Sequence, residues 1–170
     1  KISNQTQANQ VICISEIPIQ KEFLFNVKRN LCLVLDNIQD PGNLGTIIRI
    51  ADWYGIKHIL CSKNTVDLYN PKVIQATMGS FTRVIVHYDD IFPLLKNSSL
   101  PIYGAVIDGE NIHKQTLKKT GFVIIGNESS GINNKIKELI TIPISIPSFG
   151  KANSLNAAIA TAIICDNFKR

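Results

Sequence analysis

The sequence predicts an α/β fold with a mainly parallel sheet and helices on both of its faces. Apolar, strand-like runs alternate with helical patterns along residues 31–168, which is the order of βαβ units. These runs lack the apolar–polar alternation of a sheet with one solvated face, so both faces should be covered. With 170 residues and an apolar fraction of 45%, the chain has enough apolar side chains for the core of one domain.

The predicted strands are short segments rich in Leu, Ile and Val, bounded by polar or turn-forming residues. The first, 31–35, is apolar at every position and therefore the clearest of them. An extended segment at 140–146 follows the others and is interrupted by Pro143. The remaining predicted strands are 57–61, 83–86, 101–106 and 121–125.

The predicted helices lie between these strands. In 43–53 the apolar residues fall at i, i+3, i+4 and i+7, which places them on one helical face. Either Asn43 or Asp40 can cap this helix, as Ser154 or Asn153 can cap the last one, 154–168. The last helix is apolar nearly all round, so it should be buried in the core or against another subunit. The other predicted helices are 71–78, which begins with a proline, 89–96 and 133–139.

The segment 1–30 differs from the rest because it begins with a polar stretch that offers little to bury. A short strand at 11–14 and a short helix at 21–30 are its only predicted elements. We therefore predict two parts: a lead-in or linker at 1–30 and one folded domain at 31–170.

Charge, cysteines and histidines limit the classes of protein to consider. The net charge is +5, which suits RNA or DNA as a partner and equally fits a lysine-rich solvated surface. No apolar run is long enough to span a bilayer and no signal peptide opens the chain, so a cytoplasmic protein is expected. Cys32 and Cys61 lie in apolar runs and are predicted to be buried free thiols. The histidines lack metal-ligand spacing, so no metal is expected.

Three polar clusters interrupt the apolar sequence. The first, Asp-Pro-Gly-Asn-Leu-Gly at 40–45, follows a strand and opens a helix, where backbone N–H groups suit an anionic ligand. Arg49 follows about 140° from Leu44 on the helix, away from the buried stripe. The spacing matches neither a dinucleotide-binding fingerprint nor a P-loop. Read alone, this cluster is better explained as an ordinary turn, a capped helix and a solvated arginine.

The second and third clusters also follow strand-like runs. Gly-Asn-Glu-Ser-Ser-Gly at 126–131 is bracketed by glycines, which allow close backbone approach to a ligand. Ile-Pro-Ser-Phe-Gly at 146–150 is followed by Ser154, Leu155 and Asn156 at the start of the last helix. Polar groups after the strands of an α/β sheet are typical of a binding site at the strand ends. The clusters contain no recognisable nucleophile, metal set or hydride-transfer motif, which favours a cofactor that already carries a reactive group.

Together the clusters resemble the three motifs of the SpoU (TrmH-like) RNA ribose 2′-O-methyltransferases of the SPOUT superfamily. The matching residues are Asn43, Gly45 and Arg49 in the first motif, Gly126, Asn127, Glu128 and Gly131 in the second, and Ile146, Pro147, Ser154, Leu155 and Asn156 in the third. Residues 76–80 also resemble a segment that this family places between its first two motifs. The resemblance covers about 31–168.

The resemblance implies a C-terminal trefoil knot, S-adenosylmethionine as cofactor, RNA (tRNA or rRNA) as substrate, and a homodimer that completes each site. Many members of this family carry an N-terminal RNA-binding domain; here we expect that domain to be absent, or cut away with the lead-in as its remnant. By resemblance, the residues that act on the substrate are Arg49, Asn43, Glu128, Ser154 and Asn156. Those that hold the cofactor are Gly126, Ile146, Leu155, Ala105 and Asn127.

The implied reaction is attack of a ribose 2′-hydroxyl on the methyl group of the cofactor. A guanidinium is a poor base, so Arg49 is expected to orient the ribose or a phosphate and to stabilise negative charge. Three alternatives remain: a base methyltransferase, an RNA-binding module without catalysis, and a Rossmann nucleotide-binding enzyme. Candidate phosphate contacts are Lys28, Arg29, Lys72, Arg83 and Lys151.

Overall fold

A computed structural model describes residues 14–17 and 30–170, and it confirms the predicted fold class. Six strands form one sheet in the order β3-β2-β1-β5-β4-β6, and every pair of neighbours is parallel. The strands are β1 (Leu31–Leu35), β2 (His58–Ser62), β3 (Ile85–Asp89), β4 (Ile102–Asn111), β5 (Gly121–Ile125) and β6 (Ile142–Ser145). The helices are α1 (Pro41–Trp53), α2 (Pro71–Thr77), α3 (Ile91–Lys96), α4 (Asn134–Lys137) and α5 (Ala157–Lys169).

Both faces of the sheet are covered, as the unbroken apolar runs predict. β1 and β5 are buried at every position and lie side by side at the centre. Helices α1 and α5 pack against each other, and their apolar residues join one core cluster with Leu33 and Val123. Residues of α3 and α4 join a second cluster with Cys32 and Phe122, on the opposite face. The sheet therefore presents its strand ends, rather than its faces, to solvent.

Strand β3 begins two residues later than predicted. Residues Ser80–Thr82 form a 3-10 turn, and Arg83 is held by hydrogen bonds of 2.7 and 2.9 Å to Asp52 at the end of α1. Because this tie fixes Arg83 outside the sheet, pairing with β2 starts only at Ile85. The sequence of the strand itself carries no signal of that distant partner.

Strand β4 runs on to Asn111, beyond its predicted end at residue 106. Ile144 of β6 is the register partner of both Ala105 and Glu110, and the register shifts between those two residues. A Cβ at Gly109 would lie 2.4 Å from the Ile144 carbonyl carbon, so only glycine allows this approach. Pro143 lies within β6 and does not break it.

Helix α5 begins at Ala157, three residues later than predicted, because Asn156 is its N-cap. The Asn156 side chain accepts from the backbone N–H groups of Ala158 and Ile159. The first helix is capped by Asp40, one of its two predicted caps. The predicted helix at 21–30 and most of the predicted strand at 11–14 lie outside the described residues. The knot that the resemblance implies stays a prediction.

Candidate functional site

The three polar clusters meet at the carboxyl edge of the sheet. Asn43 opens α1 after β1, Glu128 follows β5, and Asn156 caps α5 after β6. Asn43 Nδ2 donates to Glu128 Oε1 at 2.6 Å, and Asn156 Nδ2 donates to Asn43 Oδ1 at 2.8 Å. One hydrogen-bonded chain thus links Asn43 to a residue 85 positions later in the sequence and to another 113 positions later. We call these three residues the Asn–Glu–Asn chain.

The hydrogen bonds of the Asn–Glu–Asn chain can have only one donor-to-acceptor direction. Because the Oδ1 atom of Asn156 already accepts two backbone N–H groups of α5, its amide nitrogen must face Asn43. Asn43 then presents its own nitrogen to the Glu128 carboxylate, which accepts only. Asn43 is buried with 9% of its surface exposed, so both of its amide ends need these partners.

The loop after β5 is built by Asn127. Its Oδ1 accepts from the backbone N–H groups of Ser129 and Ser130, and its Nδ2 donates to the Asn37 carbonyl oxygen at 2.8 Å. The backbone of Asn127 pairs in both directions with Gly131. These contacts make Asn127 a support for the loop, while its predicted role in holding the cofactor stays a prediction.

Gly126 is required where the loop leaves β5. A Cβ at this position would lie 2.4 Å from the Gly131 carbonyl carbon and 2.4 Å from the Ile132 nitrogen. Both are backbone atoms that cannot turn aside. The close approach closes the Gly126–Gly131 loop beneath Glu128, and the second glycine has a φ of +69°, which favours glycine.

Two supporting residues, Asp36 and Asn37, are absent from the predicted site. Asp36 Oδ2 accepts from the Asn133 backbone N–H at 2.7 Å and holds the far end of the same loop. Asn37 has a φ of +60°, and its N–H donates to Ser62 Oγ at 2.8 Å. An Asp-Asn pair directly after a buried strand is a turn signal, and this signal could have found them.

The predicted cofactor positions lie along the same edge. Ala105 and Ile146 are half-buried and pack against the core cluster beneath α1 and α5. Leu155 has 48% of its surface exposed and directly precedes the Asn156 cap. Ser154 is also exposed, and it is not the helix cap. Backbone groups and apolar side chains therefore dominate this part of the edge, with the Asn–Glu–Asn chain beside it.

Arg49 is not part of the Asn–Glu–Asn chain. It is exposed on α1, about 120° around the helix from Asn43 and about 9 Å further along the axis. It forms no hydrogen bond or ion pair with any residue that the structure describes. Its guanidinium is thus available to a ligand or to another chain.

The candidate phosphate contacts are divided between the two edges of the sheet. Arg83 lies before β3, at the amino edge, and is paired with Asp52. Its hydrogen bonds, with a smaller contribution from Ser80, hold the pKa of the Asp52 carboxyl below its usual value. Lys72 and Lys151 are exposed in segments that start at the carboxyl edge. Lys28 and Arg29 lie outside the described residues.

The described residues offer no other recognisable reaction centre. Across 14–17 and 30–170, no three His, Cys, Asp or Glu side chains group in a way that could hold a metal ion. Burial raises the pKa of the Cys32 and Cys61 thiols, and raises that of Cys165 to about 12, so these thiols stay protonated near neutral pH. In the same part of the chain, no helix is long and apolar enough to cross a membrane.

The fold and the polar carboxyl edge define an α/β protein with a candidate binding site at the strand ends. The chain belongs to the SpoU rRNA Methylase family, whose sequence profile matches residues 30–166. This membership confirms the resemblance drawn from the three motifs.

Two curated relatives illustrate the similarity. One is the 23S rRNA (guanosine(2553)-2′-O)-methyltransferase RlmP of Bacillus subtilis, 32% identical over 136 residues, which are 78% of this chain and 55% of the relative. The other is the 23S rRNA (uridine(2479)-2′-O)-methyltransferase of Streptomyces viridochromogenes, 30% identical over 165 residues, or 89% of this chain and 54% of the relative. The chain thus spans about half the length of these two relatives.

The chain is also similar to a solved structure. The AdoMet-bound rRNA methyltransferase of Sinorhizobium meliloti superimposes with a TM-score of 0.77 at 30% identity, covering 82% of this chain and 55% of that one. The similarity therefore extends over most of the described fold.

Proposed function

We propose that this chain transfers a methyl group from S-adenosylmethionine to a ribose 2′-hydroxyl of structured RNA. The observation that carries the proposal is the Asn–Glu–Asn chain, which joins all three family motifs at one edge of the sheet. Membership of the SpoU family supports the same reaction class. We assign the activity to one domain at 31–170, preceded by a lead-in at 1–30.

The residues along the carboxyl edge fit the cofactor. S-adenosylmethionine, when bound, would supply a methyl group that its sulfonium already makes reactive. Gly126, Ile146 and Leu155 would hold it, largely through their backbone, with Ala105 at the neighbouring strand. The half-buried, mostly apolar surroundings of Ala105 and Ile146 suit a nucleoside, and the rigid Gly126 turn fixes where backbone groups point.

The Asn–Glu–Asn chain would shape the place where the ribose lies. Its one-way hydrogen bonds hold the Glu128 carboxylate at a fixed position beside the start of α1. Ser154, exposed two residues before Asn156, is available to a ligand. Positioning of the hydroxyl contributes most here, because methyl transfer needs an in-line approach.

Arg49 would act on the RNA. A guanidinium stays protonated, so it does not accept the proton of the hydroxyl. Its planar fork suits a phosphate or the ribose oxygens, and it stabilises negative charge that develops during transfer. Arg49 is exposed and has no hydrogen-bond or ion-pair partner among the described residues, which leaves the guanidinium available for this role.

A second copy of the chain would bring Arg49 to a site. Within one chain, Arg49 points about 120° away from Asn43. Arg49 and Trp53 share one exposed face of α1, and Trp53 has 85% of its surface exposed. Leu155 and Ile159 are exposed at the start of α5, which packs against α1. These apolar residues favour a homodimer in which Arg49 of one protomer faces the Asn–Glu–Asn chain of the other.

Mass spectrometry of nucleosides tests the proposed function. Unmodified 23S rRNA and tRNA transcripts are incubated with the protein and trideuteromethyl-labelled S-adenosylmethionine, then digested. We expect labelled 2′-O-methylnucleosides. A label on a base would identify a base methyltransferase instead. Absence of label from all RNAs, in folded protein that binds S-adenosylmethionine, would favour an RNA-binding module without catalysis.

A further inference from the structure

Residues 148–156, between β6 and α5, form nine consecutive exposed positions. Among them Phe149 has 98% of its surface exposed, although burial of a phenylalanine side chain would stabilise the fold. On either side of it, the Ser148 hydroxyl donates to the Gly150 carbonyl oxygen at 3.3 Å. The fold of the described residues makes no use of this aromatic ring.

Both ends of this segment are attached to the carboxyl edge of the sheet. On one side, Ser145 Oγ donates to the Gly109 carbonyl oxygen at 2.7 Å. On the other, Asn156 is bonded to Asn43. Phe149 follows Ser145 by four residues, which span at most about 14 Å even when extended. Phe149 is therefore tethered on both sides to the edge of the sheet that holds the proposed site for the ribose.

The composition of the segment favours RNA over a second protein chain as the partner of Phe149. Lys151 follows two residues later, and residues 147–156 contain no acidic side chain. Lys and Ser are depleted in protein–protein interfaces, whereas an exposed aromatic ring beside a basic residue is typical of loops that bind single-stranded nucleic acid. The apolar residues that suit a second copy lie instead on α1 and at the start of α5.

We propose that Phe149 stacks on an unpaired base of the RNA next to the target ribose, while Lys151 contacts a phosphate. The inference rests on the proposed function and narrows its substrate: the methylated nucleotide lies in a loop or another single-stranded segment. Within a duplex a base is already stacked on both sides and offers no free face to the ring.

Fluorescence anisotropy with a labelled single-stranded 12-nucleotide oligouridylate tests this proposal. Phe149→Ala should weaken binding about tenfold, whereas Phe149→Tyr, which keeps the ring, should stay within about twofold. Lys151→Ala should weaken binding and lower its salt dependence. The matched control is Lys118→Ala, an exposed lysine before β5 at the amino edge, which should change neither.

Each other outcome overturns the inference for a distinct reason. Equal binding by Phe149→Ala and wild type means that the ring does not stack, and so does absence of RNA binding by wild type. Loss of S-adenosylmethionine binding in Phe149→Ala assigns the ring to the cofactor, and a shift to monomer in size-exclusion chromatography assigns it to the second copy. Failure of the proposed function is recognised separately, because the wild-type protein would then yield no labelled 2′-O-methylnucleoside in the mass-spectrometric assay, whatever its binding of oligouridylate.

Discussion

Asn43 connects two loops through one buried amide. Its two ends are not interchangeable, because the capped helix α5 fixes the donor at Asn156 and the carboxylate of Glu128 only accepts. A buried polar group that loses its partner costs about 1–3 kcal/mol. The geometry of the site therefore depends on the identity of this side chain as well as on its size.

Two substitutions distinguish the effect of hydrogen bonding from the effect of charge in the Asn–Glu–Asn chain. Asn43→Asp would place a second carboxylate against Glu128, where Asn43 Nδ2 now lies 2.6 Å from Glu128 Oε1. We expect the free energy of unfolding to fall by about 1–3 kcal/mol. Glu128→Gln keeps an accepting oxygen and should stay within about 0.5 kcal/mol of wild type while losing methyl transfer. Urea denaturation measures the free energy of unfolding of both variants. Equal destabilisation by the two substitutions would contradict the assigned donor direction.

Substitution of Arg49 is expected to affect methyl transfer and not the fold. Because Arg49 is exposed and forms no bond with any described residue, Arg49→Ala should leave stability and S-adenosylmethionine binding unchanged. Turnover should fall by about 10²–10³-fold, as when one charge-stabilising donor is removed from a transition state. Arg49→Lys keeps the charge but not the fork and should recover little of the loss.

The matched control for this experiment is Arg83, which lies at the amino edge and is paired with Asp52. Arg83→Ala should retain turnover and lower the stability only slightly, because an exposed ion pair contributes little. Near-full activity in Arg49→Ala, or an equal loss in Arg83→Ala, would show that Arg49 has no special role.

Among the loops, the turn after β5 is the most tightly constrained. Gly126→Ala should displace backbone at Gly131 and Ile132, weaken S-adenosylmethionine binding at least about tenfold and destabilise the fold by about 1–3 kcal/mol. Gly150→Ala is the control, because a Cβ there meets nothing within 4 Å. Calorimetry and thermal unfolding compare the two variants. Unchanged cofactor binding in Gly126→Ala would remove this turn from the proposed cofactor site.

Strands whose burial follows from their own apolar residues were predictable from the sequence. Element boundaries that depend on contacts with distant residues were not. Residues 31–35 and 121–125 form the predicted strands because an unbroken apolar run has no stable place except the centre of a covered sheet. The start of β3 depends on Asp52, and the start of α5 depends on a cap whose amide also reaches Asn43. Local pattern contains no information about such contacts.

The sequence named residues that the structure brings together, but it did not reveal the contacts between them. The motifs named Asn43, Glu128 and Asn156, yet their spacing could not show that they form one hydrogen-bonded chain. Asp36 and Asn37 were missed because their function is to hold a loop that follows a different strand. The partner of Arg49 could not be predicted from the sequence either, since it is expected to lie outside the single chain.

Across residues 14–17 and 30–170, three thiols, those of Cys32, Cys61 and Cys165, are buried in the core clusters on the two sides of the sheet. Their folded-state pKa values lie above the ordinary value of 9.0 because burial disfavours the thiolate. The unfolded chain therefore loses these protons first as the pH rises. The stability that the protonated thiols contribute is full below pH 9.0 and declines above it.

Stability should consequently fall between pH 9 and pH 11 by up to about 1.4 kcal/mol per pH unit for each buried thiol. Urea denaturation across this range measures the slope. Cys165→Ala should make the slope shallower by one thiol's share, whatever its effect at pH 8. An identical slope in the variant would show that the Cys165 thiol ionises equally in the folded and unfolded states.

The central claim is that the carboxyl edge of the sheet is an S-adenosylmethionine site. Isothermal titration calorimetry of S-adenosylmethionine into the purified, folded protein tests it most directly, because binding does not depend on knowing the RNA. We predict saturable binding with one site per chain, weakened at least about tenfold in Gly126→Ala and retained in Arg49→Ala. Absence of binding in a folded dimer would contradict the claim.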